Sequence, residues 1–105
     1  SIDKKGFQLI AKSENFKNLK VLKISGVSMG DEGFQSIINS NSLKQLEELE
    51  VAGNSISRKS LLKLEKSTLI GQLKKLDLRR NSLIDADQLF LSRSSEFDKL
   101  KSIRF

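Results

Sequence analysis

The chain has 105 residues, 37% hydrophobic and 30% charged, with a formal net charge of +6 at pH 7, which allows one small domain and no more. It contains no Cys and no His, which excludes disulfides and thiolate-bound zinc and removes the commonest general base and metal ligand. No apolar run is long enough for a membrane-spanning helix, and no Asp/Asn-rich loop has the spacing of a calcium or magnesium site, so no metal or cofactor is expected.

In chain order, the first recognisable stretch is GFQLI at 6–10, expected to open a helix at Gly6. After Phe16 comes LKVLKISGVSM at 19–29, then Phe34, Ile37 and Ile38 at helical spacing behind Gly33. The next apolar residue is Leu43, followed by LEELEVAGNSI at 46–56 and by Leu61, Leu62 and Leu64. Ile70 precedes LKKLDLRRNSL at 73–83, in which residues from Leu76 alternate apolar and polar as a half-buried strand does. Leu89, Phe90 and Leu91 are again helical in spacing, and Phe97 leads into Leu100, Ile103 and Phe105.

These stretches repeat every 27 residues without an insertion. Leu19, Leu46, Leu73 and Leu100 form one column; Leu22, Leu49, Leu76 and Ile103 a second; Ile24, Val51, Leu78 and Phe105 a third. Met29, Ile56 and Leu83, with Ile2 ahead of them, form a fourth, Ile37, Leu64 and Leu91 a fifth, and Phe16, Leu43, Ile70 and Phe97 a sixth. The divisions are a partial unit at 1–18, units at 19–45, 46–72 and 73–99, and a partial unit at 100–105. A short strand, about ten helical residues and a return turn make one coil, which can bury its apolar face only against a neighbouring coil. Each fully buried Leu or Ile contributes roughly 1.5–3 kcal/mol, so columns of them hold such a stack together.

Asn54 and Asn81 end the strand in two units, where an amide can both donate to and accept from backbone groups that the turn withdraws from water. Val27 occupies this column in the first phrase and cannot bond, so a water or a shifted turn is expected there. Gly6 and Gly33 share a column with Ser60 and Asp87, and a close backbone approach is expected at the glycines.

The phrase L-x-x-L-x-L-x-x-N-x-L, as in LEELEVAGNSI and LKKLDLRRNSL, resembles the leucine-rich repeat. MGDEGFQSI, after the first full phrase, is similar to the ribonuclease-inhibitor-like subclass, although Val27 departs from its Asn. The resemblance implies an α/β solenoid with short parallel strands on a concave face and helices on the convex face. A right-handed winding follows from the crossover rule. Neither end carries a polar cap, so the chain is expected to be part of a longer array, with end-to-end self-association through the uncapped ends as the alternative.

The residues for chemistry are missing: no phosphate-cradling loop with Lys-Ser/Thr, no His or Cys for a nucleophilic pair, and carboxylate pairs only as adjacent surface acids. No enzymatic activity is therefore expected. In a strand of this phrase the residues between the leucines point to the concave face. They are Val21, Lys23 and Ser25; Glu48, Glu50 and Ala52; Lys75, Asp77 and Arg79; and Ser102 and Arg104. The column Lys23, Glu50, Asp77, Arg104 then reads basic, acidic, acidic, basic, a face suited to another protein. A protein-binding module or scaffold is the expected function.

Two other classes are weighed against it. Arg79 and Arg80 bear comparison with the activators of the GTPase Ran in the same family, which would make the chain a targeting segment of a regulatory enzyme. The net charge, with Arg58, Lys59, Lys63 and Lys66 on one helix, fits a nucleic-acid or membrane-surface binder, but the spread of basic residues and their helical spacing read as a solvated face. The lack of an Asn-x-Ser/Thr sequon favours an intracellular home. Excess of Lys over Arg and the absence of Pro fit a low-GC bacterium, with delivery into a host cell if that bacterium is intracellular.

Overall fold

The computed structural model describes residues 4–105. Four strands of three residues alternate with helices: α1 at Lys4–Lys12, β1 at Val21–Lys23, α2 at Gly30–Ile38 and β2 at Glu48–Glu50. They are followed by α3 at Arg58–Glu65, the short α4 at Leu69–Gln72, β3 at Lys75–Asp77, α5 at Asp85–Arg93 and β4 at Ser102–Arg104. The strands form one parallel sheet in sequence order. The architecture is α/β, and among the described residues no helix is long and apolar enough to cross a membrane.

Pairing follows the sequence offset. Leu22 lies opposite Leu49, Leu49 opposite Leu76, and Leu76 opposite Ile103. Such a register stacks each inward Leu on its equivalent, and one buried cluster takes in Leu49, Val51, Leu76 and Leu78 with Phe34, Ile37, Leu61, Leu64 and Leu91 of the helices. Leu46, Leu49, Val51, Ile56, Leu61 and Leu64 of the central coil are sealed from water, whereas Leu19, Leu22 and Ile24 on one side and Leu100 and Ile103 on the other are partly buried. Ile2, read into the Met29 column, lies outside the described residues.

Three details of the helices differ from the expected pattern, the first being that α1 begins at Lys4 and α2 at Gly30, ahead of Gly6 and Gly33. Leu62 and Leu89 are 41% and 49% exposed, because neighbouring helical positions point about 100° apart and Leu61 and Leu91 already fill the inward ones. The return to the next strand is itself helical: Ile70 lies in α4, while Phe16 and Phe97 lie in 3-10 turns at Glu14–Phe16 and Phe97–Lys99. Gly33 fits the reading of a close approach, since a Cβ there would stand 2.6 Å from Met29 Cγ and 2.9 Å from Phe7 Cδ2.

The asparagines lock the coils together. Asn54 is fully buried. Its Oδ1 accepts from the N–H of Val27 at 3.0 Å and of Met29 at 3.2 Å. Its Nδ2 donates to the carbonyls of Ile24 at 2.7 Å and Ala52 at 3.1 Å. Asn81 repeats the arrangement one coil later, accepting from Asn54 N–H and Ile56 N–H and donating to Val51 and Leu78. Each amide thus serves mainly the coil before its own. That corrects the expectation at Val27: Asn54 occupies the donors there, and the turn is not shifted, with Gly26 at φ 68° and Gly53 at φ 66°.

Candidate partner-binding face

The sheet turns one side to the core and the other outward, so the alternating residues of the three-residue strands become a polar surface. Lys23, Glu48, Glu50, Lys75, Asp77, Ser102 and Arg104 line a single shallow trough of about 270 Å³, with Leu49 and Leu76 in its floor. Val21, Ser25 and Arg79 are exposed beside it without lining it. Ala52 is only 3% exposed and offers no surface to a partner. Its carbonyl accepts from Gly26 N–H and from Asn54, which ties this residue into the turn rather than the face.

Register places Lys23 beside Glu50, Glu50 beside Asp77 and Asp77 beside Arg104. Opposite charges on this face find one another. Lys23 Nζ stands 3.9 Å from Glu50, and Lys75 Nζ 3.5 Å from Glu48. Both pairs are well solvated, and such pairs contribute about 0–1 kcal/mol each. The like-charged neighbours Glu50 and Asp77 are relieved by a contact within β3 and the turn after it. Arg79 Nη2 donates to Asp77 Oδ2 at 2.8 Å, and Arg79 Nε donates to Oδ1 at 3.0 Å.

Asp77 differs from the other charges of the face. Its side chain is 11% exposed, and its Oδ1 also accepts the backbone N–H of Arg79 at 3.0 Å, which closes the turn at the end of β3. The side-chain bond from Arg79 holds the carboxyl below its ordinary range against the opposing effect of burial, with the backbone bond and the charges of Arg79 and Arg104 adding to it. The same carboxylate raises Arg79 above the ordinary arginine value, chiefly through that hydrogen bond. This pair escaped the column reading, which compared residues 27 apart. Period-two spacing within D-L-R was the available signal, since residues i and i+2 of a strand share a side.

A second charged row was also missed. Lys20, Glu47, Lys74 and Lys101 recur 27 apart just before the strands, and Lys74 Nζ stands 3.3 Å from Glu47.

On the helical side the polar contacts knit coils together. Asp31 accepts from Ser57 N–H at 2.9 Å, from Ser57 Oγ at 2.6 Å and from Ser60 Oγ. Burial works to raise its pKa, but these bonds and the charge of Lys59 outweigh burial and leave it lowered. Arg58 lies 3.6 Å from the buried Asp87 and 5.5 Å from the centre of the Phe90 ring. Among the described residues no group of three His, Cys, Asp or Glu could hold a metal ion. No protein-family model matches the chain, and no curated protein matches it.

Proposed function

We propose that the chain is a stretch of right-handed leucine-rich-repeat solenoid of the ribonuclease-inhibitor-like kind, and that the exposed face of its sheet binds another protein. The repeat reading is supported by strand pairing at the sequence offset and by the asparagines that bond one coil to the previous one. The binding reading is supported by one observation: seven of the eleven residues expected on the outward face line one trough. Charges of both signs meet there, an arrangement that gives a protein partner orientation and register more than raw affinity.

The rival uses draw less support. Arg79 is held against Asp77 through Nε and Nη2, which shortens the reach that a GTPase site would demand while leaving Nη1 unbonded among the described residues. The acids Glu48, Glu50 and Asp77 interrupt the positive surface that a nucleic acid or lipid headgroups would need. An intracellular setting accords with this reading.

The test is site-directed photocrosslinking in lysate treated with nuclease. A photoreactive residue at Ser102 should trap a discrete protein, and the same residue at Lys63 on the helical side should not. Reversing Glu48, Glu50 and Lys75 together should abolish the trapped species while circular dichroism stays unchanged. Equal trapping from both positions, or none from Ser102, would remove the strand face as the binding surface.

A further inference from the structure

Resting on the reading of the strand face as a protein-binding surface, we infer that Arg79 and Arg104 form its recognition point, taking a carboxylate from an extended acidic segment of the partner. The first ground is charge. Each acid of the face has a base from the same face: Glu50 has Lys23, Glu48 has Lys75, and Asp77 has Arg79. Arg104, beside Asp77 in register, is exposed and has no ion pair within 4.0 Å among the described residues. The face therefore has a positive remainder, and it lies on the β3–β4 side.

The second ground is geometry. A guanidinium carries five N–H donors in a rigid plane. Asp77 takes Nε and one edge of Nη2, and no described residue bonds Nη1, so the pair leaves donors for a partner on a side chain 45% exposed. Part of the side-chain freedom that an arginine loses on binding is already given up to Asp77 in the free protein. Arg104 supplies a second fork on the adjacent strand, and Ser102, which lines the same trough, adds a hydroxyl. Bidentate pairing of guanidinium with carboxylate is among the strongest polar contacts available to such a surface.

A continuous polyanion fits less well. Glu48 and Glu50 line the other half of the trough, and the outward strand residues include no aromatic side chain on which a base could stack. Carboxylates spaced along a peptide meet the arginines and leave the glutamates clear.

The experiment is an NMR titration of the labelled chain with a short peptide of alternating Glu and Ser. A peptide with Gln in place of Glu, an oligo-dT strand and phosphatidylserine vesicles are run alongside. Saturable shifts should centre on Arg79 Nε–H and the amides of Ser102 and Arg104, and only the Glu peptide should produce them. Arg79→Gln and Arg104→Gln should each weaken binding at least about tenfold. Arg79→Lys should fail similarly, because an ammonium keeps the charge but lacks the fork. Arg104→Gln leaves the Asp77–Arg79 pair intact, so its loss of binding is not a folding effect. Shifts centred on Lys59 and Lys63, full binding by Arg79→Lys, preference for oligo-dT or vesicles, or no response would each overturn the inference. Should the peptide fail while Ser102 still crosslinks a protein, the acidic chemistry is wrong and the face remains the binding surface.

Discussion

Replacing Asn54 by Ala tests the physical account of the coil seams most directly. The amide makes four bonds; the Ala52 carbonyl would keep the N–H of Gly26, so the buried partner left bare is the N–H of Met29. A buried polar group left without a partner costs about 1–3 kcal/mol, and the part-buried Val27 N–H and Ile24 carbonyl bring the expected loss to about 3 kcal/mol. That is a large part of the roughly 5–15 kcal/mol that holds a domain of this kind together. Urea unfolding followed by circular dichroism reads the effect. With a slope of about 1.5 kcal/mol per M, a loss of about 3 kcal/mol moves the midpoint down by about 2 M. Asn54→Asp is a sharper variant. It keeps the acceptor for Val27 and Met29 but turns a carboxylate oxygen toward the Ile24 and Ala52 carbonyls, so it should be at least as damaging at neutral pH and recover in part when protonated. A loss below about 1 kcal/mol for the alanine variant, at unchanged slope, would refute the reasoning. It would mean that water replaces the amide without penalty.

Three further outcomes follow from the packing and the charges. Gly33→Ala should destabilise by about 1–3 kcal/mol despite alanine's better helix propensity, because its methyl meets Met29 and the buried Phe7 ring; a melting temperature at or above that of the parent would contradict this. Asp31 and Asp77 have pKa values lowered from 3.8 in the folded chain, so the stability they contribute is present above the unfolded value and lost as pH falls through the folded one. Acid titration of the unfolding free energy should therefore decline below about pH 4, and less steeply in Asp31→Asn. A double-mutant cycle on Lys23 and Glu50 should give a coupling below about 1 kcal/mol that fades in high salt; a larger, salt-insensitive value would show the pair to be more than a solvated contact.

Much of the fold was legible because a parallel stack imposes one spacing on every layer. Leu22, Leu49, Leu76 and Ile103 could be aligned by counting, and the register joins those residues. Legibility stopped where the strand did. Alternation placed Ala52 on the outward face, but β2 ends at Glu50 and the chain then turns inward, which buries the residue. The apolar runs at Leu61–Leu64 and Leu89–Leu91 mark helices but give no residue an angle around its axis, so the outward turn of Leu62 and Leu89 is not readable from them. At Val27 the column was right and its direction was not: nothing in one sequence says whether an asparagine bonds forward or back. The charged face was readable by column, but the link that organises it lies within one strand and its turn, from Asp77 to Arg79.

That backward bonding bears on how such a chain can lengthen. A tandem duplication of residues 46–72 would bring a second Asn54 that serves the first copy, and Asn81 would serve the second copy, which precedes it, so the amide seam would close at both joints. The charges would not be so tolerant. Glu47, Glu48 and Glu50 now have Lys74, Lys75 and Lys23 beside them, whereas in the duplicate each would lie against its own image. The inner seam is generic and the outer one is particular, so growth by copying is open to this fold only if the surface residues diverge soon afterward.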